Sequence, residues 1–213
     1  NNSKNIYWVS FLANTKEHVN IEYVRKDIIS ESLKLFGNTE YPKVFTSATM
    51  TTGTDDYTYF AQSLGLDKIN GVPVVKEYPA KSPFDYQNNA LLYLCDDCIS
   101  PKSSDHDLYL STLATKIEEL INVTEGRSLV LFTSKKDMKR VYEMVTMNNH
   151  NFNIMLQTDD TSSDILKRRF KEDETSVLFA TGSFFEGIDI KGSSLENVII
   201  TKLPFPVVNP IIE

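Results

Sequence analysis

Apolar residues fall into short blocks along the chain, and the spacing within each block sets the element it predicts. IYWVS (6–10) predicts a strand. Ile28, Ile29, Leu33 and Phe36 recur near helical spacing, and Gly37 predicts the stop. KVFT (43–46) predicts a strand, and Asp55 to Leu64 a helix closed by Gly65. VPVVKEY (72–78) and ALLYL (90–94) predict two more strands. A longer helix follows, with Leu113, Ile117, Leu120 and Ile121 on one face and Gly126 at its close. Beyond it the alternation is regular. SLVLF (128–132), NIMLQ (153–157), SVLFA (176–180) and NVIIT (197–201) predict strands. A helix carrying Met138, Val141, Tyr142 and Val145, and another from Asp164 to Lys171, lie between them. Strands apolar throughout, alternating with amphipathic helices, imply a mostly parallel sheet with helices on both faces, an α/β fold. The stretch around 78–106, rich in Pro, Ser, Asn and Asp, reads as a seam.

Composition changes this picture little. The 213 residues are 41% hydrophobic and 24% charged, which suits a packed core. No basic start followed by an apolar run suggests a leader, and no apolar stretch approaches the roughly 20 residues that span a bilayer. The expected location is therefore the cytoplasm, with no membrane partner. Two cysteines argue against a disulfide framework. A net charge of −7 argues against a generally basic nucleic-acid binder, but leaves room for local basic strips. Two strips occur, Lys135, Lys136, Lys139 and Arg140, then Lys167, Arg168, Arg169 and Lys171. Each reads as a solvated helix face or as a contact for phosphates.

Ligands of open α/β sheets sit at the carboxyl ends of the strands, so the residues after each apolar run carry the chemistry. These are Thr46-Ser47-Ala48-Thr49, Thr133-Ser134-Lys135-Lys136 and Thr181-Gly182-Ser183. Small residues let backbone N–H groups approach a ligand, hydroxyls add donors, and a following helix adds a positive dipole end. The set suits a phosphate. Helix capping explains the same residues: Ser134 to Asp137, Thr52 to Asp55 and Ser183 to Glu186 all fit S/T-x-x-[DE]. Lys135 and Lys136 fall where a first-turn cation is disfavoured, and an anion there would offset that cost. In TGSFFEGIDIKG (181–192), Glu186 and Asp189 flank Gly187. Such paired acids suit a metal, acid–base work or a ribose hydroxyl, and spacing alone leaves all three open.

TSATM (46–50), SPFDY (82–86), SLVLFTSKKDM (128–138), VLFATGSFFEGIDIKG (177–192) and ITKLPFPVVNP (200–210) occur in that order. Together they resemble the C-terminal half of a DinG-type helicase, in the XPD-like branch of superfamily 2, from about Tyr7 to Pro210. The resemblance implies a RecA-like motor fold, with residues 1–80 as the tail of motor domain 1 and the inter-domain connection, and 81–213 as motor domain 2. It implies that Ser47, Ala48 and Thr49 couple nucleotide hydrolysis to strand movement. Thr133 and Ser134, with the neighbouring Lys135, would hold the backbone of single-stranded DNA. Glu186, Gly187 and Asp189 would link the nucleotide to the second motor domain. ATP and Mg2+ are the implied cofactors of the full-length protein, and single-stranded DNA and the first motor domain are the implied partners.

Departures bound that implication. No G-x-x-x-x-G-K-[ST] phosphate loop, no acidic Mg-binding box and no glutamine–arginine helix occur in the sequence. The chain ends three residues after Pro210, so the expectation is an excerpt that is inactive alone. Relatives of this type include proteins with an iron–sulfur cluster or an exonuclease domain, and neither is expected on this stretch. Cys95-Asp-Asp-Cys98 lacks the two further cysteines of a cluster and reads as two thiols at a strand end, or as a redox dithiol. Asp105-His106-Asp107 reads as a solvated loop, and no metal site is expected. Two further readings stand beside the helicase: a nucleotide-regulated module of a DinG-type 3'-5' exonuclease, and a non-enzymatic α/β binding module whose motifs are caps.

Overall fold

A computed structural model of the chain describes residues 5–11, 19–26, 28–37, 41–47, 50–51, 56–67, 82–186, 188, 190 and 192–205. The chain divides into two compact units, Leu92–Pro206 and the residues outside it, and each is described by itself.

The first unit opens with β1 (Asn5–Phe11) and β2 (Val19–Arg25), an antiparallel pair with Tyr7 opposite Tyr23 and Val9 opposite Ile21. β1 matches the expected first strand. Its partner was not expected, although VNIEYVR alternates with the period of a strand. Helix α1 (Ile28–Phe36) ends at Gly37, whose N–H bonds the Leu33 carbonyl at 2.8 Å. Helix α2 (Thr58–Ser63) is shorter than the expected Asp55–Leu64 and closes at Gly65. KVFT forms no strand. Val44 is 89% exposed, and Phe45 packs its ring edge-on against Phe36 and Phe60, at 5.3 and 5.5 Å. Aromatic packing, not a hydrogen-bonded ladder, therefore holds this segment. The expected strand at 72–78 lies outside the described residues. Helix α3 (Tyr86–Asn89) is a single turn capped by Asp85. ALLYL forms no strand either, and Leu91, Leu92, Tyr93 and Leu94 are all exposed. An apolar run predicts a strand only where a neighbour completes its ladder.

The second unit holds the sheet. Helix α4 (His106–Val123) leads into β3 (Ser128–Phe132), α5 (Lys135–Val145), β4 (Ile154–Leu156), α6 (Ser163–Glu172), β5 (Val177–Thr181) and β6 (Asn197–Ile200). The four strands are parallel, in the order β4-β5-β3-β6. Alternation along the central strands sorts side chains to two layers. Val130, Phe132, Val177 and Phe179 pack with α4 and α5. Leu129, Leu131, Leu178 and Ala180 pack with Leu166 and Phe170 of α6 and with Phe184. Each large apolar side chain so buried contributes roughly 1.5–3 kcal/mol relative to exposure. This is the expected RecA-like α/β arrangement, with helices on both faces of a parallel sheet. Among the described residues no helix is long and apolar enough to cross a membrane.

The turn from α4 into β3 is tight. Glu125, Gly126 and Arg127 all have positive φ, at 50°, 87° and 42°. A Cβ on Gly126 would sit 1.8 Å from the Thr175 carbonyl oxygen. Next to it the fully buried Ser128 hydroxyl meets the Gly126 carbonyl at 2.5 Å and the Thr124 hydroxyl at 2.9 Å, and Asn197 Nδ2 donates to it at 3.2 Å. Gly126→Ala is expected to destabilise the chain by at least about 1–3 kcal/mol, since it adds backbone strain to a clash with fixed main chain. Urea unfolding followed by circular dichroism measures the shift, and an unchanged midpoint would contradict the assigned turn.

Candidate functional site

β3 and β5 are neighbours in register, with Phe132 opposite Thr181. The residues that leave the two strands, Thr133 and Gly182, therefore emerge side by side at one sheet edge. Two of the three hydroxyl-bearing strand ends singled out in the sequence meet there. Ser47 of the third is exposed in the other unit, and Ala48 and Thr49 lie outside the described residues.

Ser134 caps α5, its Oγ accepting from the Asp137 N–H at 3.2 Å. Only this half of a capping box has an identified bond. The Asp137 carboxylate instead meets His106 Nε2 at 3.0 Å, and Arg140 pairs with Asp107 at 2.7 Å. His106 and Asp107 open α4, capped by Asp105, which accepts from the Leu108 N–H at 2.9 Å. The expectation of a solvated loop at 105–107 is thus corrected. Its polar residues cap a helix and tie that helix to the first turns of α5. Burial, and then the charge of Asp137, push the Tyr109 phenol above its usual range.

Lys135, the first residue of α5, is exposed and pairs with Asp159 in the loop after β4. That contact offsets the cost of a cation at a helix N-terminus. Thr133, Lys136 and Lys139 are exposed around it. The edge can thus offer a phosphate a hydroxyl, first-turn N–H groups and an ammonium.

At the exit of β5 the Thr181 N–H donates to Gln157 Oε1 at 2.7 Å, and the Thr181 hydroxyl lies 3.3 Å from the same oxygen. β4 ends at Leu156, so the Gln157 side chain supplies the acceptor that a longer β4 would have given. Gly182 then turns with φ +56° into a short 3-10 turn, Gly182–Phe184. Phe184 is buried with the Lys167 ammonium 5.5 Å from its ring centroid. Ser183 lies inside this turn and Phe185 and Glu186 after it are not helical, so the S/T-x-x-[DE] match at Ser183 is not a helix cap. Ser183 and Glu186 are exposed, and Gly187 and Asp189 lie outside the described residues, as do Thr52 and Asp55. Sequence reasoning missed Gln157 and Asp159, and it named His106 without its contact to Asp137. A glutamine directly after an apolar strand was the available sign for the first, whereas the other two act across 24 and 31 residues.

Cys95 and Cys98 form a disulfide, with Cα atoms 5.6 Å apart. This corrects the expectation of two thiols at a strand end, because the C-x-x-C spacing brings the sulfurs together, and it is the oxidised form of the redox dithiol that the sequence also allowed. Asp97 Oδ1 lies 3.2 Å from Cys95 Sγ.

Residues 117–213 match the family model described as the helicase C-terminal domain. The chain is similar to the ATP-dependent DNA helicase DinG of Photobacterium profundum, 33% identical over 159 residues, covering 72% of this chain and 22% of the relative. It is 34% identical over 162 residues to the ATP-dependent DNA helicase YoaA of Haemophilus influenzae, covering 76% and 23%. The 3'-5' exonuclease DinG of Staphylococcus epidermidis is 29% identical over 130 residues, covering 60% and 14%. The chain thus spans about a quarter or less of the length of these relatives. No solved structure matches it.

Gln157→Leu should remove the acceptor of the Thr181 N–H and destabilise the chain by about 1–3 kcal/mol. Ser134→Ala should cost about 1 kcal/mol through the lost cap, and Ser134→Gly only a few tenths. Urea midpoints give all three values, and an order in which Gln157→Leu is neutral would remove its role at the β5 exit.

Proposed function

We propose, from the premise that residues 117–213 belong to the helicase C-terminal domain family in its DinG-type branch, that this chain supplies the second RecA-like motor domain of an ATP-dependent DNA helicase. In this reading residues 81–213 form that domain, and 1–80 belong to the first motor domain and the connection. Thr133, Ser134 and Lys135 hold the backbone of single-stranded DNA. Glu186, Gly187 and Asp189 carry the nucleotide's state into the domain, and Ser47, Ala48 and Thr49 couple hydrolysis to movement. The observation that carries the reading is the level pairing of Phe132 with Thr181, which sets the Thr133-Ser134 and Gly182-Ser183 exits side by side.

The chemistry follows from that adjacency. A phosphodiester at the β3 exit would accept from first-turn N–H groups and the Ser134 hydroxyl, and draw Lys135 from Asp159. A change at the neighbouring β5 exit would reach it through one sheet edge, without any change in the buried strands. ATP and its Mg2+ would be held mainly by residues outside this sequence, since it has no phosphate loop. A relative named as a 3'-5' exonuclease supports a second reading, in which the same domain regulates a nuclease rather than driving translocation.

Binding of labelled oligo-dT, followed by anisotropy across a salt series, tests the DNA contact. Lys135→Glu should weaken binding several-fold and reduce the salt slope by about 1. Asp159→Asn should strengthen binding, because it releases Lys135. Equal affinities for all three chains would leave Lys135 with its Asp159 pairing alone. In the longer protein Glu186→Gln should cut ATP turnover sharply while unfolding stays unchanged. The 213-residue chain alone should turn over no ATP, with or without oligo-dT.

A further inference from the structure

The loop ahead of α4 carries a second cluster, remote in sequence from the strand ends. Cys95 and Cys98 are both half-buried, so a small reductant can reach them, and their bridge spans only two intervening residues. A loop that short removes little freedom from the unfolded chain, so the bridge is a poor structural staple. The donor atoms of Cys95, Asp97 and Cys98 all lie within 4.8 Å of one another. Asp97 and Cys98 border an open cleft of about 320 Å³ on α4, lined also by Thr112, Thr115, Lys116 and Glu119.

We propose that this cluster is a redox-gated site for a thiophilic divalent cation of the zinc class, closed as the disulfide and open as the dithiol. Opening takes two electrons and two protons from a dithiol reductant. The Sγ–Sγ bond breaks, each sulfur gains a proton, and the reductant leaves as its own disulfide. The cation then displaces both thiol protons and forms two metal–sulfur bonds. Asp97 supplies an oxygen, and water from the cleft fills the fourth position of a tetrahedral site. Sulfur and carboxylate donors together favour zinc-like ions over magnesium or calcium.

Charge supports the assignment. Two thiolates and one carboxylate carry three negative charges against two on the cation. The Lys116 ammonium lies 3.8 Å from Asp97 Oδ2 and faces that surplus. A second contact, to Glu119 at 2.8 Å, helps hold the Lys116 ammonium beside the cluster. In the oxidised state the sulfurs are bonded to each other and cannot act as thiolate ligands.

The test uses Co2+ as the probe ion on the 213-residue chain, reduced with a phosphine and then freed of reductant. The reduced chain should bind a single Co2+ with thiolate-to-cobalt charge-transfer absorption, and the oxidised chain should show none. Cys95→Ser should abolish the band. Asp97→Ala should weaken Co2+ binding by more than about tenfold while keeping sulfur ligation. Circular dichroism establishes that both variants fold. No band from the reduced chain, a band that survives Cys95→Ser, or undiminished affinity in Asp97→Ala would each overturn the three-donor site. The proposal does not rest on the helicase reading, and oligo-dT binding reports that reading separately.

Discussion

The parallel pairing of β3 with β5 is the constraint on which the core and the candidate site both depend. Five consecutive pairs, from Ser128–Val177 to Phe132–Thr181, hold the two strands level. Both strands are buried on both faces, so neither can slip by one residue without sending each side chain to the wrong layer. The packing that fixes the register for stability also fixes the height at which the chain leaves the sheet. Thr133 and Gly182 are neighbours because Phe132 and Phe179 are in one layer and Leu131 and Ala180 in the other.

Around that edge, capping and ligand binding draw on the same groups. Ser134 caps α5, yet the acid three residues on is turned toward His106. Lys135 likewise rests on Asp159, an exposed partner that a phosphate could replace. An exposed ion pair of this kind contributes little to stability, about 0–1 kcal/mol, so exchanging it for a ligand costs the fold little. Gln157 works differently. Its carbonyl oxygen accepts from a buried backbone N–H, and its role is to hold the turn rather than to meet a ligand.

Legibility followed burial. The strands from Ser128 onward were readable because their residues are apolar on both faces, and a central parallel strand leaves that pattern in any single sequence. KVFT and ALLYL are apolar runs too, but among the described residues they pair with no strand, and composition does not report a partner. β2 was overlooked for the converse reason. Its Val19, Ile21 and Tyr23 are exposed, so the alternation was present but did not belong to a sheet core. At the site, Ser134 and Thr181 could be found because capping and strand ends have local rules. His106 and Asp159 could not, because each meets its partner only after intervening helices and strands have folded. The joining of Cys95 to Cys98 lies between these cases: the spacing permitted it, and the path of the loop decided it.

The buried hydroxyl of Ser128, shared among Gly126, Thr124 and Asn197, stands at the end of β3 opposite to Thr133. The molecule thereby assigns its two poles different tolerances to inheritance. One pole admits few alternatives, because a positive-φ glycine and a fully buried hydroxyl must both be kept. The other ends in solvent, where side chains can be exchanged while the scaffold endures. A lineage carrying this sheet could diversify its chemistry at one rim and leave the anchorage at the opposite rim untouched.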